Sequence, residues 1–307
     1  MIGIMANFDY KLLAALDEVI ELQSFELAAQ KLFISQSAIS QRIKALEEHV
    51  GQPVLIRNQP IVATAAGEQL LSHFKKVKQL EHELVPILSP DKPTKPMKVS
   101  LAVNADSIAT WFIDAITPVL KSHLVELNLI IEHEERTIDK LRSGQAIGAV
   151  CVIEKPLKGY RSFKLGDMEY CLVASKGFAQ KYFPKGVNKS SLKMAPAISY
   201  DHKDDMHVRY IAKHFSLAAS EYYCHSVRSS EAFVALAKQG VAYCLLPKLQ
   251  IEQELKTGQL VSLCPDKKLV ETLYWHSWVL VKGVNKRISE QIVSIGQKKL
   301  AYKSSVN

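Results

Sequence analysis

Between Ser89 and Pro96 the chain reads Ser-Pro-Asp-Lys-Pro-Thr-Lys-Pro, and no other stretch constrains the fold as strongly. Proline fixes φ, lacks an amide donor and pushes the preceding residue out of the α region. No helix and no central strand can run through this octet, so it is a linker. It separates a head, residues 1–88, from a body, residues 97–307, and the two parts carry different apolar periods.

Composition sets outer limits. Apolar residues make up 48% of the chain and charged residues 23%, enough to bury a core in each part. The longest apolar run, residues 147–153, is too short to cross a bilayer, and no membrane partner is expected. The first residues show no basic region followed by an apolar stretch and a cleavage site, and Asp9 arrives early. Five cysteines with no Cys-x-x-Cys spacing point away from disulfides and zinc ribbons, so a cytoplasmic location is expected. The formal charge of +8 is no argument for nucleic acid by itself. Residues 1–96 carry 10 Lys/Arg against 11 Asp/Glu, and the body holds the remaining 29 against 20.

The head reads as three helices and a hairpin. Leu12, Leu13, Leu16, Val19 and Ile20 recur at helical spacing, and Ser24 can cap a second helix with Phe25, Ala28, Ala29 and Leu32 on its apolar side. A third helix, from Gln36 to about His49, buries Ile39, Ile43 and Leu46. Its opposite face carries Ser37, Ser40, Gln41 and Lys44, with Ser35 and Gln36 at the start and Arg42 on the flank. Two short helices joined by a tight turn, the second with such a face, form a helix-turn-helix. Gln and Arg can make paired bonds to base edges, and hydroxyls at a helix start suit phosphate. The bland alternative is a solvated face on a helical hairpin. The short β-prone runs 52–57 and 61–63 about Asn58-Gln59-Pro60 then read as a wing, with Arg57 placed for phosphate.

The run FELAAQKLFISQSAISQRIKALEEHVGQPVLIR, followed by TAAG at Thr64–Gly67, resembles the winged helix-turn-helix of LysR-type transcriptional regulators. From Thr64 a long helix follows, with Leu70, Phe74, Val77, Leu84 and Leu88 near heptad spacing. That pattern fits either packing on its own domain or a dimer seam. The resemblance implies a dimerising linker helix, a homodimer or homotetramer, double-stranded promoter DNA as partner, and RNA polymerase as a further one.

In the body, strand-like runs at 97–103, 127–131, 147–153, 170–174, 197–200, 222–227 and 241–246 alternate with helical stretches, which argues for a parallel α/β sheet. Two lobes are expected, 97–165 with 270–307 and 166–269, with ligand at strand ends beside helix starts. The fold class is α/β, with a winged helix-turn-helix at 6–63, a linker at 64–96 and a two-lobed effector domain at 97–307. The body resembles the family's effector domain, built like a periplasmic solute-binding protein. SLAVNADSIATW, YDHKDDMH, SSEAFVALAKQG and LYWH, in order along the chain, are similar to the ArgP subgroup, which responds to arginine and lysine. The resemblance implies a lysine or arginine effector and control of genes for amino-acid export or metabolism.

Candidate ligand residues follow from chemistry. Asn104, Asp106, Ser107 and Thr110 sit where a strand hands over to a helix, and Ser229 and Ser230 precede another helix. Each set is either a helix cap or a cradle for an amino acid's carboxylate. Asp201, Asp204 and Asp205 crowd one segment and suit an ammonium or guanidinium. His202 and His207 beside them also permit a metal reading, but no second cluster completes a ligand set. His133-Glu134-Glu135 reads as an exposed strand end, and Cys151, Cys171 and Cys244 as core. HExxH, GxSxG, a phosphate loop and GxGxxG are all absent, so neither an enzyme nor a resident cofactor is expected.

Overall fold

The computed structural model describes residues 8–88, 96–200 and 205–301, so residues 89–95 of the proline-rich linker and Asp201–Asp204 lie outside the described residues. The chain divides into two compact units, residues 1–97 with 139–147, and 98–138 with 148–307.

In the first unit, α1 (Tyr10–Leu22), α2 (Phe25–Leu32) and α3 (Gln36–Val50) begin at Asp9, Ser24 and Ser35. Each of these side chains accepts a bond from a free first-turn amide, Lys11, Leu27 and Ala38 respectively. Gln23, Phe33 and Gly51, all left-handed, end the three helices. Leu13, Leu16, Val19, Ala28, Ile39, Ile43 and Leu46 bury together, as their spacing requires. β1 (Leu55–Ile56) and β2 (Val62–Ala63) pair antiparallel as a wing.

α4 (Ala65–Leu88) starts under that wing. The Thr64 hydroxyl donates to the Pro53 carbonyl at 2.8 Å and accepts from the Gly67 amide at 3.2 Å. A Cβ on Gly67 would lie 1.9 Å from the Val54 carbonyl oxygen, so the T-x-x-G motif exists for close packing. Leu70 and Phe74, expected on a dimer seam, are instead buried in the core of their own unit. They point inward because α4 packs against α1. Val77 is half-buried, Leu88 is 76% exposed, and the Leu84 side chain lies outside the described residues. Buried Asp17 is held by Lys75 at 3.7 Å and Lys78 at 3.3 Å, and Glu18 by Lys31 at 2.7 Å.

The remaining elements are β3 (Met97–Val103), α5 (Ala105–Ser107), a π-helical turn (Ile108–Phe112), α6 (Ile113–Ser122), β4 (Val125–Ile131), α7 (Thr137–Arg142) and β5 (Gly148–Cys151). Then come β6 (Tyr160–Ser175), α8 (Lys176–Tyr182), α9 (Lys189–Met194), β7 (Ala197–Ser199), α10 (Asp205–Phe215), β8 (Cys224–Ser226) and α11 (Ser230–Lys238). β9 (Tyr243–Pro247), α12 (Glu252–Thr257), β10 (Leu260–Ser262), β11 (Leu269–Trp278) and α13 (Gly283–Lys299) complete the chain. The strands form one sheet in the order β4-β3-β5-β11-β6-β9-β7-β8, with β10 on β6.

The sheet is mixed, not parallel throughout. β3–β5, β7–β8 and β7–β9 are parallel. β6 runs antiparallel to β11 from Tyr160↔Trp278 to Tyr170↔Leu269, and β11 is antiparallel to β5. This long crossing pair joins the two parallel sets, and α13 packs back on α6 and β6. Gly296 permits that approach, since a Cβ there would meet Leu165 at 2.9 Å.

Candidate functional site

The polar face of α3 is presented as its spacing requires. Gln36, Ser37, Gln41 and Lys44 are exposed, and Ser40 and Arg42 are half-buried at its edge. Ser35 is the N-cap, accepting from the Ala38 amide at 3.2 Å with the Ser37 hydroxyl 2.9 Å away. Arg57 extends from the wing with its guanidinium 5.4 Å from the centre of the Phe25 ring. Gln36, Ser40, Arg57 and Phe25 line one shallow recess between α2, α3 and the wing.

Two features of this surface are not marked by periodicity. Gln23 donates to the Ile61 carbonyl at 2.8 Å and so fixes the wing to the end of α1. Phe33, in the turn before α3, is 95% exposed. Its position at a helix end is visible in sequence, but its outward direction is set by its left-handed φ of 56°.

The second unit contains a small, half-open cavity of about 50 Å³. Asn104, Asp106, Glu132, His133, Glu134, His207 and Ser230 are among the residues that line it. Three chain segments converge here for a backbone reason. β3 ends at Val103, and the Val103 carbonyl accepts from the Glu132 amide at 3.4 Å, which brings 132–134 beside 104–106. The Thr137 hydroxyl lies 2.7 Å from the Val150 carbonyl and 3.1 Å from that of Glu134, holding the segment down. The start of α11 closes the cavity from the other side through Ser230.

Asp106 is the hub. The Ser230 hydroxyl donates to its Oδ1 at 2.7 Å, and the Tyr170 hydroxyl donates to its Oδ2 at 2.9 Å. The Gln250 amide lies 2.9 Å from the same Ser230 hydroxyl. Because that hydroxyl has one proton, Gln250 can share it only by turning its amide to donate. Burial, with Asp106 and Glu134 close by, raises the Tyr170 phenol well above its ordinary range.

Asn104 occupies the N-cap position of the helical run from Ala105, yet its side chain caps nothing. It is 2% exposed, and neither its amide nitrogen nor its oxygen has a hydrogen-bond partner among the described residues. The first helical bond is Ile108 to Asn104, which leaves the amides of Ala105, Asp106 and Ser107 without intrahelical acceptors. A buried amide side chain and an uncapped helix start, side by side, suit a small anion.

Several expected residues have other tasks. Thr110 donates back to the Asp106 carbonyl at 2.6 Å, inside its own helix, so it does not face the cavity. Ser229 caps α11, accepting from the Ala232 amide at 3.2 Å, and leaves only Ser230 for the cavity. Ser107 is fully buried, its hydroxyl without a partner among the described residues. Asp201 and Asp204 lie outside the described residues.

The His133-Glu134 pair corrects the sequence expectation outright. Glu134 is 4% exposed and lies 3.6 Å from the His133 ring nitrogen. Around this rim Arg136 pairs with Glu132 at 3.1 Å, and Arg209 with Glu135 at 3.2 Å and Glu271 at 3.8 Å. Burial raises the Glu271 carboxyl, against the pull of Arg209.

With Asp106, Glu132 and Glu134 in its lining, the cavity is electrostatically suited to a cation. Cys151 and Cys244 are buried; burial pushes the Cys151 thiol up to about 11 and Cys244 higher still, so neither is a thiolate at neutral pH. Among the described residues the only acidic group with metal-like spacing is Asp17, Glu18 and Glu21, and lysines already face two of these three. No described helix is long and apolar enough to cross a membrane.

Residues 10–68 match the bacterial regulatory helix-turn-helix model of the lysR family, and residues 96–281 match the LysR substrate binding domain. The HTH-type transcriptional regulator ArgP of Aeromonas salmonicida is 52% identical over 296 residues, 96% of this chain and 99% of that protein. ArgP of Vibrio vulnificus is 49% identical over 95% of this chain and 98% of its own. The crystal structure of ArgP from Mycobacterium tuberculosis is 34% identical, covers 94% of this chain and 98% of that one, and superposes with a TM-score of 0.79. LysG of Corynebacterium glutamicum with its bound effector Arg is 30% identical, covers 95% of this chain and 99% of that one, and gives a TM-score of 0.75. The chain belongs to the LysR family of helix-turn-helix transcriptional regulators, and ArgP-type regulators are among its relatives.

Proposed function

We propose that this regulator responds to a basic amino acid, lysine or arginine, bound in the cavity of the second unit. The observation that carries the reading is the pairing of opposite needs in one small space. Carboxylates of Asp106, Glu132 and Glu134 line it, and beside them stand the Asn104 side chain, without a partner among the described residues, and the amides of 105–107, which lack intrahelical acceptors. A ligand with a carboxylate at one end and cations at the other satisfies both. The amides and Asn104 take its α-carboxylate, and the acidic residues take its ammonium or guanidinium. Asp201 and Asp204 are further candidates for the cationic end. That LysG of Corynebacterium glutamicum holds an arginine effector supports the reading.

In the first unit, Gln36, Ser37, Ser40, Gln41 and Arg42 read base edges in the major groove of double-stranded promoter DNA. Ser35, Lys44 and Arg57 contact phosphate. Two heads in a homodimer, or pairs of them in a homotetramer, engage a two-fold site, with the exposed end of α4 contributing to self-association. Ligand binding shifts the population between two arrangements of the heads, and RNA polymerase senses the result at genes of amino-acid export or metabolism.

A thermal-shift screen of the twenty amino acids tests the effector class, because selective binding stabilises by mass action. Lysine and arginine should raise the melting temperature and norleucine should not. A shift produced by aliphatic or acidic amino acids instead would refute it.

A further inference from the structure

Tyr170 carries no chemistry in its sequence context, which reads as an apolar strand. In the structure it is 1% exposed, on the central strand β6, with Leu269 of β11 on one side and Pro247 of β9 on the other. A backbone paired on both sides holds the ring in one place. Its hydroxyl reaches Asp106 across 64 positions of sequence, 2.9 Å from Oδ2, while Ser230 serves Oδ1 at 2.7 Å from the opposite side. Each Asp106 oxygen therefore receives a hydroxyl, and the plane of the carboxylate is set by two elements remote from its own helix. The phenol is a dependable donor, since burial and neighbouring negative charge prevent its ionisation at physiological pH.

We infer that Tyr170 is a positioning residue for effector recognition, holding the Asp106 carboxylate ionised and aimed at the cation of the ligand. The inference rests on the reading of the cavity as a site for a basic amino acid. Hydrogen bonds donated to an ionised carboxylate favour it over the neutral acid. Among the described residues the Tyr170 hydroxyl has no hydrogen-bond partner besides Asp106, whereas the Ser230 hydroxyl also meets Gln250, so the Tyr170 proton is committed to Asp106.

Tyr170→Phe keeps the ring and deletes the donor. The full-length chain carrying carbon-labelled aspartate, without ligand, gives the Asp106 titration by NMR, the signal being identified by its loss in Asp106→Asn. In Tyr170→Phe the Asp106 midpoint should rise by roughly one pH unit. Lysine affinity at neutral pH should fall roughly tenfold, a factor that grows as the pH is lowered, while the weak binding of norleucine stays unchanged. A purely structural role predicts loss of stability with an unmoved Asp106 midpoint, and that result overturns the inference. Should Tyr170→Phe fail to fold, Ser230→Ala removes the other donor and must raise the same midpoint; no rise there also overturns it. A chain that binds no lysine at all refutes the cavity reading separately, because the titration in the absence of ligand is independent of it.

Discussion

The recognition helix and the effector cavity place their polar groups in opposite physical settings. On α3, Gln36, Ser37, Gln41 and Lys44 stand in water because the core needs only the face bearing Ile39, Ile43 and Leu46. One continuous run, 35–57, supplies every residue proposed to touch DNA. In the cavity, Asn104, Glu134 and Ser230 are brought from distant segments and withdrawn from solvent, with Asp106 half-buried among them. Burying such groups costs stability unless they find partners. The first site can thus be altered with little effect on folding, whereas a change at the second costs stability wherever it leaves a buried group unpaired.

The largest effect tests the two faces of α3 against each other. Ile43→Ala should cost about 2–5 kcal/mol of stability, read by chemical denaturation, because Ile43 is fully buried. Gln41→Ala and Arg42→Ala should each change stability by no more than about 0.5 kcal/mol. They should instead remove roughly 1–3 kcal/mol of specific operator affinity in a gel shift at fixed salt. Equal losses of stability from Ile43→Ala and Gln41→Ala would collapse the distinction.

Next in size is the end of α4. Leu88 is 76% exposed, whereas Leu70 and Phe74 belong to the core. Leu84→Ser with Leu88→Ser should weaken self-association in sedimentation, and Phe74→Ala should mainly lower the melting temperature. An oligomer untouched by the double variant leaves the outer part of α4 with no part in assembly.

The smallest expected effect is a pH dependence. His276 is fully buried, its Nε2 2.7 Å from the Ile153 carbonyl, and burial lowers its pKa below 6.5. The unfolded chain then binds a proton more readily than the folded one, so this contribution is present above about pH 6.5. It declines as the pH falls from there toward the folded value. His276→Gln should flatten the melting temperature across that window relative to the wild type, and an unchanged slope would count against it.

The contrast between the sites also explains what the sequence could reveal. Helical spacing and cap residues disclosed α1–α3 and the wing, because their determinants are local. The T-x-x-G motif was legible as a pattern, though its cause, the 1.9 Å approach of Gly67 to the Val54 carbonyl, is not. Asp106 and Ser230 were visible as residues at helix starts. Tyr170 was not, since the contact that gives it meaning spans 64 positions. Glu134 was misread because two adjacent acids after a strand usually face solvent, and its burial follows from the Glu132–Val103 backbone bond. Thr110 was misread because its hydroxyl satisfies its own helix. The first half of β6 was missed because Arg161, Lys164, Asp167 and Glu169 obscure its alternation.

The central claim is that the cavity selects a cationic side chain through Asp106, and calorimetry on the full-length chain measures it directly. Lysine and norleucine differ only by the terminal ammonium, so their affinity ratio isolates that contact. The wild type should bind lysine far more tightly than norleucine, by a factor of roughly tenfold or more for one charged hydrogen bond. Asp106→Asn, which keeps the shape, should bring the two ligands close together. Equal affinities in the wild type, or full discrimination surviving in Asp106→Asn, would contradict the account.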